Sequence, residues 1–155
     1  MRHKIYIAND IKDRTLSPNL IRRTVKAALL FENVGVPCEI SVLITDDEGI
    51  RSINSEFRNQ DRPTDVLSFP CFEFSPGSFD VKDGEIDGAG LLPLGDIVLS
   101  AERIAAQAAE YGSTLRRETA YLVVHSVLHL LGYDHVSERD KRQMRAREKV
   151  IIEKS

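Results

Sequence analysis

Residues 125 to 135, HSVLHLLGYDH, place three of the chain's four histidines in a segment otherwise filled with leucine and valine. On an α-helix, residues four apart are offset by about 40° and one turn, so His125 and His129 project side by side from one face. Gly132 can take the left-handed conformation that ends a helix, and Tyr133 and Asp134 then reverse the chain to deliver His135 to the same point. Burying two imidazoles on one helical face without a cation would demand a separate polar partner for each. One ion held by three neutral imidazoles meets that demand and leaves a tetrahedral position open, the pattern of a catalytic rather than a structural zinc. Three imidazoles also suit nickel, copper or iron. Asp134 or the Tyr133 hydroxyl is expected to support the ligands from behind, since a ligating imidazole commonly donates its other N–H to a neighbour.

The H-x-x-x-H spacing is that of a zinc-protease ligand helix, but there a glutamate follows the first histidine and acts as general base. Here Ser126 follows His125. Glu118 falls on nearly the same helical face but roughly 10 Å earlier along the axis, so it is read as a favourable anion in the first turn of its helix. Peptide hydrolysis is therefore disfavoured.

A chain of 155 residues fits one domain, 1–155, and its 42% apolar and 29% charged composition is that of an ordinary globular protein. The opening MRHKIYIAND lacks the apolar stretch of a secretory signal and no apolar run approaches a membrane span, so a cytoplasmic location without membrane contact is expected. Cys38 and Cys71 lack a CxxC partner and are read as strand-associated core thiols. The net charge of −3 argues against nonspecific coating of nucleic acid. Basic residues nevertheless gather between Arg139 and Lys149, and acidic ones between Asp80 and Asp87.

HKIYIAND alternates as a strand, and Ser17-Pro18 opens a helix to about Val34. CEISVLIT is a second strand, after which Thr45 or Asp46 caps a helix through Phe57. DVLSFPCFEF (65–74) is a third strand, SPGSFDVKDGEIDGAGLLP a long exposed loop, and LGDIVLS (94–100) a fourth strand. Three helices follow: Ala101 to about Tyr111, stopped by Gly112; a more buried one capped by Ser113 or Thr114 and ended by Gly132; and a charged one opened by Ser137. The expected fold class is α+β, a small mixed four-stranded sheet packed with about five helices, one of them the zinc-protease-like ligand helix.

Three separated blocks, NSEFRNQDRPTDVLSFP, GDIVLS and HSVLHLLGYDH, occur in the order seen in the YbeY family of bacterial endoribonucleases, the ribosomal RNA maturation factors, and the chain resembles that family from Asn54 to His135. The resemblance implies one Zn2+ per chain held by His125, His129 and His135, and a functional Arg58. Asp61 and Asp65 would position Arg58 or its turn, and Thr64, Ser68 and Asp96 would serve as caps or strand-end hydrogen bonders. The chain departs from the family pattern at Ser126, where glycine is usual, and over a longer stretch from Glu73 to Pro93.

What the resemblance implies is a single-strand-specific endoribonuclease acting on ribosomal RNA, in 3′-end processing of the small-subunit RNA and in ribosome quality control. Expected partners are ribosomal RNA, the small ribosomal subunit with one of its proteins, and the GTPase Era. The charge arithmetic agrees, because a zinc ion and a guanidinium supply two positive groups for a developing phosphorane. Residue identities leave the nucleophile open between a water on the metal and the RNA's 2′-hydroxyl. Spacing alone would instead tie Arg58 to Asp61 or Asp65. The rival functions are a metalloprotease-like hydrolase and a noncatalytic, zinc-stabilised ribosome-assembly factor.

Overall fold

The computed structural model describes residues 2–78 and 81–154. β1 (Lys4–Asn9) and β2 (Cys38–Thr45) lie parallel, from Lys4 opposite Glu39 to Asn9 opposite Ile44. Parallel neighbours need a crossover, and α1 (Pro18–Phe31) supplies it. The Ser17 side chain accepts from Leu20 N at 3.2 Å with proline at the first helical position. The helix stops short of Val34 because Asn33 turns left-handed (φ 55°) and Val34 N closes back on Leu29 O. β2 alternates as far as Ile44: Cys38, Ile40, Val42 and Ile44 are buried in the core that also takes Ile21, Val25 and Leu29 of α1.

Asp46, not Thr45, caps α2 (Asp47–Arg58), accepting from Gly49 N at 2.8 Å, and Asn59 closes it in the left-handed region. β3 (Val66–Pro70) then pairs antiparallel with β4 (Leu92–Ser100), giving the order β1-β2-β4-β3. Among the described residues the fold is the expected α+β class, with a mixed four-stranded sheet and five α-helices.

Two strand boundaries differ from expectation. β3 ends at Pro70 rather than Phe74, because proline has no N–H for the ladder and is tolerated here on an edge strand. β4 begins at Leu92, two residues early, its first two residues pairing with Cys38 and Glu39 before a bulge. Past the end of β3, Cys71 is exposed and not a core thiol, whereas Cys38 is fully buried.

The segment between these strands is only partly the exposed loop expected. Val81 and Ile86 of that loop pack against the core, as do Phe72 and Phe74 just before it, whose rings are tilted 45° to one another with centroids 5.6 Å apart. A 3₁₀ turn spans Asp83–Glu85, and the Asp87 carboxylate accepts from Ala89 N and Leu91 N. Residues 79 and 80 of this loop lie outside the described residues.

α3 (Ala101–Glu110) is capped by Ser100, and α4 (Leu115–Leu130) by Thr114, whose side chain accepts from Arg117 N at 3.0 Å. α4 is apolar nearly all round, as a helix enclosed on several sides should be: it packs against α1, α3 and β3, and against α5 (Glu138–Lys154). Ser137 caps α5, its hydroxyl accepting from Asp140 N at 3.0 Å. The helix buries Met144, Glu148 and Ile151 on one stripe, turns Arg147 in toward Glu32 and leaves most of its remaining charge to solvent.

Candidate functional site

His125 and His129 stand one turn apart on the last two turns of α4, and their Nε2 atoms approach to 3.2 Å. Beyond Leu131 the chain leaves the helix at Gly132 (φ 102°), where Gly132 N bonds His129 O and Tyr133 N bonds Leu128 O. A Cβ at Gly132 would lie 2.1 Å from Phe74 O, so both the turn and the loop lying against it exclude any side chain. The turn returns His135 to the pair, with ring centroids 5.0 Å from His129 and 5.8 Å from His125. One ring nitrogen from each of the three lies within 4.8 Å of the others, so the trio could hold a metal ion.

The donor set fits a small cation. In a tetrahedral site with Zn–N near 2.05 Å, neighbouring ligand atoms are about 3.3 Å apart, close to the 3.2 Å between the two helical Nε2 atoms. Burial, then the neighbouring imidazoles His125 and His135, push His129 down to about 4. A histidine held neutral at physiological pH keeps a lone pair for a metal.

Arg58, at the C-terminal end of α2, faces the same space. Together with Asp65, Ser68, Glu73 and the three histidines it lines a cleft of about 560 Å³. Its guanidinium donates to Ser68 O and lies 4.9 Å over the Phe69 ring, which Phe57 meets edge-on. The ion pair that spacing suggests for Arg58 does not form: Asp61 instead accepts from Arg51 at 2.8 and 3.2 Å, and the Asp65 carboxylate accepts from Val66 N. Ser68 is more than a strand-end hydrogen bonder, because its hydroxyl shares a bond with that of buried Ser126 on α4.

The two residues expected behind the ligands separate. Asp134 Oδ1 accepts from His135 N and lies 3.9 Å from His135 Nδ1. The Tyr133 hydroxyl points elsewhere, donating to buried Glu32, which also pairs with Arg147 of α5. That triad ties the ligand turn to α1 and α5. Glu118 is buried in the first turn of α4, with its carboxyl shifted up by burial and then by Asp65.

A carboxylate that the sequence alone did not single out stands beside His125. Glu148 Oε1 of α5 is 3.6 Å from His125 Nδ1. The available signal was positional: Met144, Glu148 and Ile151 fall on one buried stripe, and a glutamate there breaks an otherwise apolar pattern.

Comparisons with known proteins place the chain in a family. Residues 6–155 match the family model described as Endoribonuclease YbeY. The chain is 46% identical to the Endoribonuclease YbeY of Clostridium botulinum (strain Alaska E43 / Type E3), covering 96% of this chain and 95% of that one. It is 48% identical to that of Clostridium kluyveri, covering 88% and 87%. Its fold is similar to the solution structure of TM1509 from Thermotoga maritima, with a TM-score of 0.63 and 25% identity, covering 96% of this chain and 87% of that one. With matched residues running from the first strand through the histidine-bearing turn to the last helix, the chain belongs to the Endoribonuclease YbeY family.

Proposed function

We propose that this chain is a zinc-dependent endoribonuclease cutting single-stranded RNA, its activity carried by one domain over residues 1–155. The observation that carries the reading is the shared cleft: Arg58 from α2 and the histidine trio from α4 and its turn line one space of about 560 Å³. Family membership supports the reaction class. His125, His129 and His135 would hold the ion. When bound, such an ion supplies a Lewis acid for the charge that develops on a phosphoryl group under attack.

The chain's own residues provide the rest. Arg58 contributes a permanent cation whose planar fork suits phosphate oxygens. Ser68 O and the Phe69 face hold that fork, so little reorganisation is needed when a phosphate arrives. A cleft open to solvent on the protein surface accepts a flexible strand without melting a duplex. Peptide hydrolysis fits poorly, because Ser126 is fully buried with its hydroxyl committed to Ser68 and no carboxylate follows His125.

The biological setting that accompanies this reading is 3′-end processing of small-subunit ribosomal RNA and ribosome quality control in the cytoplasm. The partners would be the small ribosomal subunit, one of its proteins and the GTPase Era. Among the described residues no helix is long and apolar enough to cross a membrane. The test is cleavage of a labelled single-stranded RNA and of a labelled peptide pool by the purified protein. The reading expects cleaved RNA and intact peptides; cleaved peptides with intact RNA would overturn it in favour of a protease-like hydrolase. Zinc binding with neither substrate cut would leave a noncatalytic assembly factor.

A further inference from the structure

The geometry points to Glu148 as a positioning residue of the metal site, the carboxylate that receives His125 Nδ1–H and so presents the Nε2 lone pair to the ion. The inference rests on the reading of the histidine trio as a metal site. His125 Nδ1 is buried and makes no hydrogen bond of normal length, while Glu148 Oε1 stands 3.6 Å from it. On the opposite side of the ring, Nε2 faces His129 Nε2. The imidazole therefore lies between a carboxylate and the point where the ligands converge.

Glu148 is only 4% exposed, and a buried carboxylate is costly unless a cation or donor compensates it. Among the described residues, His125 makes its only ion-pair contact within 4 Å. Arg145 and Lys149 border the same surface hollow as Glu148 and Tyr121, yet neither makes an ion pair with it within that distance. On grounds of packing alone this position of α5, between Met144 and Ile151, calls for an apolar side chain. The Tyr121 hydroxyl also faces this carboxylate, and of its two polar neighbours His125 is the one that lines the histidine cleft, where a carboxylate can orient a ligand. An imidazole whose Nδ1–H is engaged has its proton fixed there and its Nε2 free, and an anionic acceptor makes that Nε2 more basic.

The experiment compares the natural chain with Glu148→Met, which keeps the volume and removes the charge, and with Glu148→Gln, which keeps an acceptor oxygen. Zn2+ affinity is measured by competition with a chromogenic chelator, stability of the metal-free chain by urea unfolding, and the His125 tautomer in the metal-free chain by ¹⁵N NMR. Glu148→Met should weaken Zn2+ binding ten- to a hundredfold while the urea midpoint holds or rises. Glu148→Gln should fall between the two. In the natural chain His125 should carry its proton on Nδ1. Equal Zn2+ affinity in the natural and folded Glu148→Met chains, or an Nε2–H tautomer in the natural chain, overturns the inference. The tautomer needs no variant, so it decides even if Glu148→Met fails to fold. Failure of the natural chain itself to bind Zn2+ would remove the metal reading instead.

Discussion

The hydroxyl of Ser126, fully buried in α4, lies 2.5 Å from the hydroxyl of Ser68 on β3. This bond fastens α4 to the strand whose backbone holds Arg58, so both walls of the cleft share one anchor. Ser126→Ala should cost about 1 kcal/mol, the worth of a buried hydrogen bond. Ser126→Gly adds the penalty of glycine inside a helix, for a total of about 2 kcal/mol. Urea unfolding of the two variants checks the order, and Zn2+ content should be unchanged in both because His125 and His129 stay on α4.

Gly132→Ala is expected to be the more damaging change. It places a Cβ 2.1 Å from Phe74 O at a backbone angle of φ 102°. Both the strain and the forced retreat of the loop act on the turn that carries His135. A loss of about 2 kcal/mol or more, together with weaker Zn2+ binding, should appear in unfolding and chelator-competition measurements.

Arg58 makes no hydrogen bond to the three histidines and is held from β3. Arg58→Ala should therefore lower the RNA cleavage rate by a hundredfold or more, the usual scale for removing one charge-stabilising donor, with Zn2+ content unchanged. Arg58→Lys should recover little, since a point charge lacks the planar fork. Elemental analysis and single-turnover kinetics on the same sample separate the two effects.

His3 gives the chain an acid sensitivity remote from the cleft. Its Nδ1 accepts from Cys38 N at 2.9 Å, and burial, reinforced by Lys26, lowers its pKa from 6.5. The unfolded chain thus binds a proton that the folded chain resists, and stability rises with pH through this range. The contribution is complete above about pH 6.5 and is lost as pH falls from there toward the folded value. His129 shifts in the same direction, so the natural chain must be compared with His3→Asn, which keeps an acceptor but does not titrate. Urea midpoints in chelator should fall less steeply between pH 7.5 and 5.5 for His3→Asn.

Much of the site was legible because its logic is local. The four-residue spacing of His125 and His129, the glycine that ends α4 and the return of His135 all lie within one short stretch, and each of the caps Ser17, Asp46, Thr114 and Ser137 bonds a residue three positions along its own helix. What escaped the sequence depends on pairs far apart along the chain. Glu148 reads as one more charge on a solvated helix until α5 packs against α4. Ser68 meets Ser126 only when β3 takes the sheet edge. Tyr133 looks like support for the ligands until α1 offers it Glu32. The boundaries of β3 and β4 likewise follow from pairing register, which alternation along one strand does not encode.

The most direct test of the central claim is to measure bound metal and RNA cleavage together on the natural chain and on His129→Ala, with folding of each verified by circular dichroism. The account predicts about one zinc per chain and cleavage of single-stranded RNA for the natural protein, with both lost in the folded variant. Undiminished cleavage by folded, metal-free His129→Ala would contradict it.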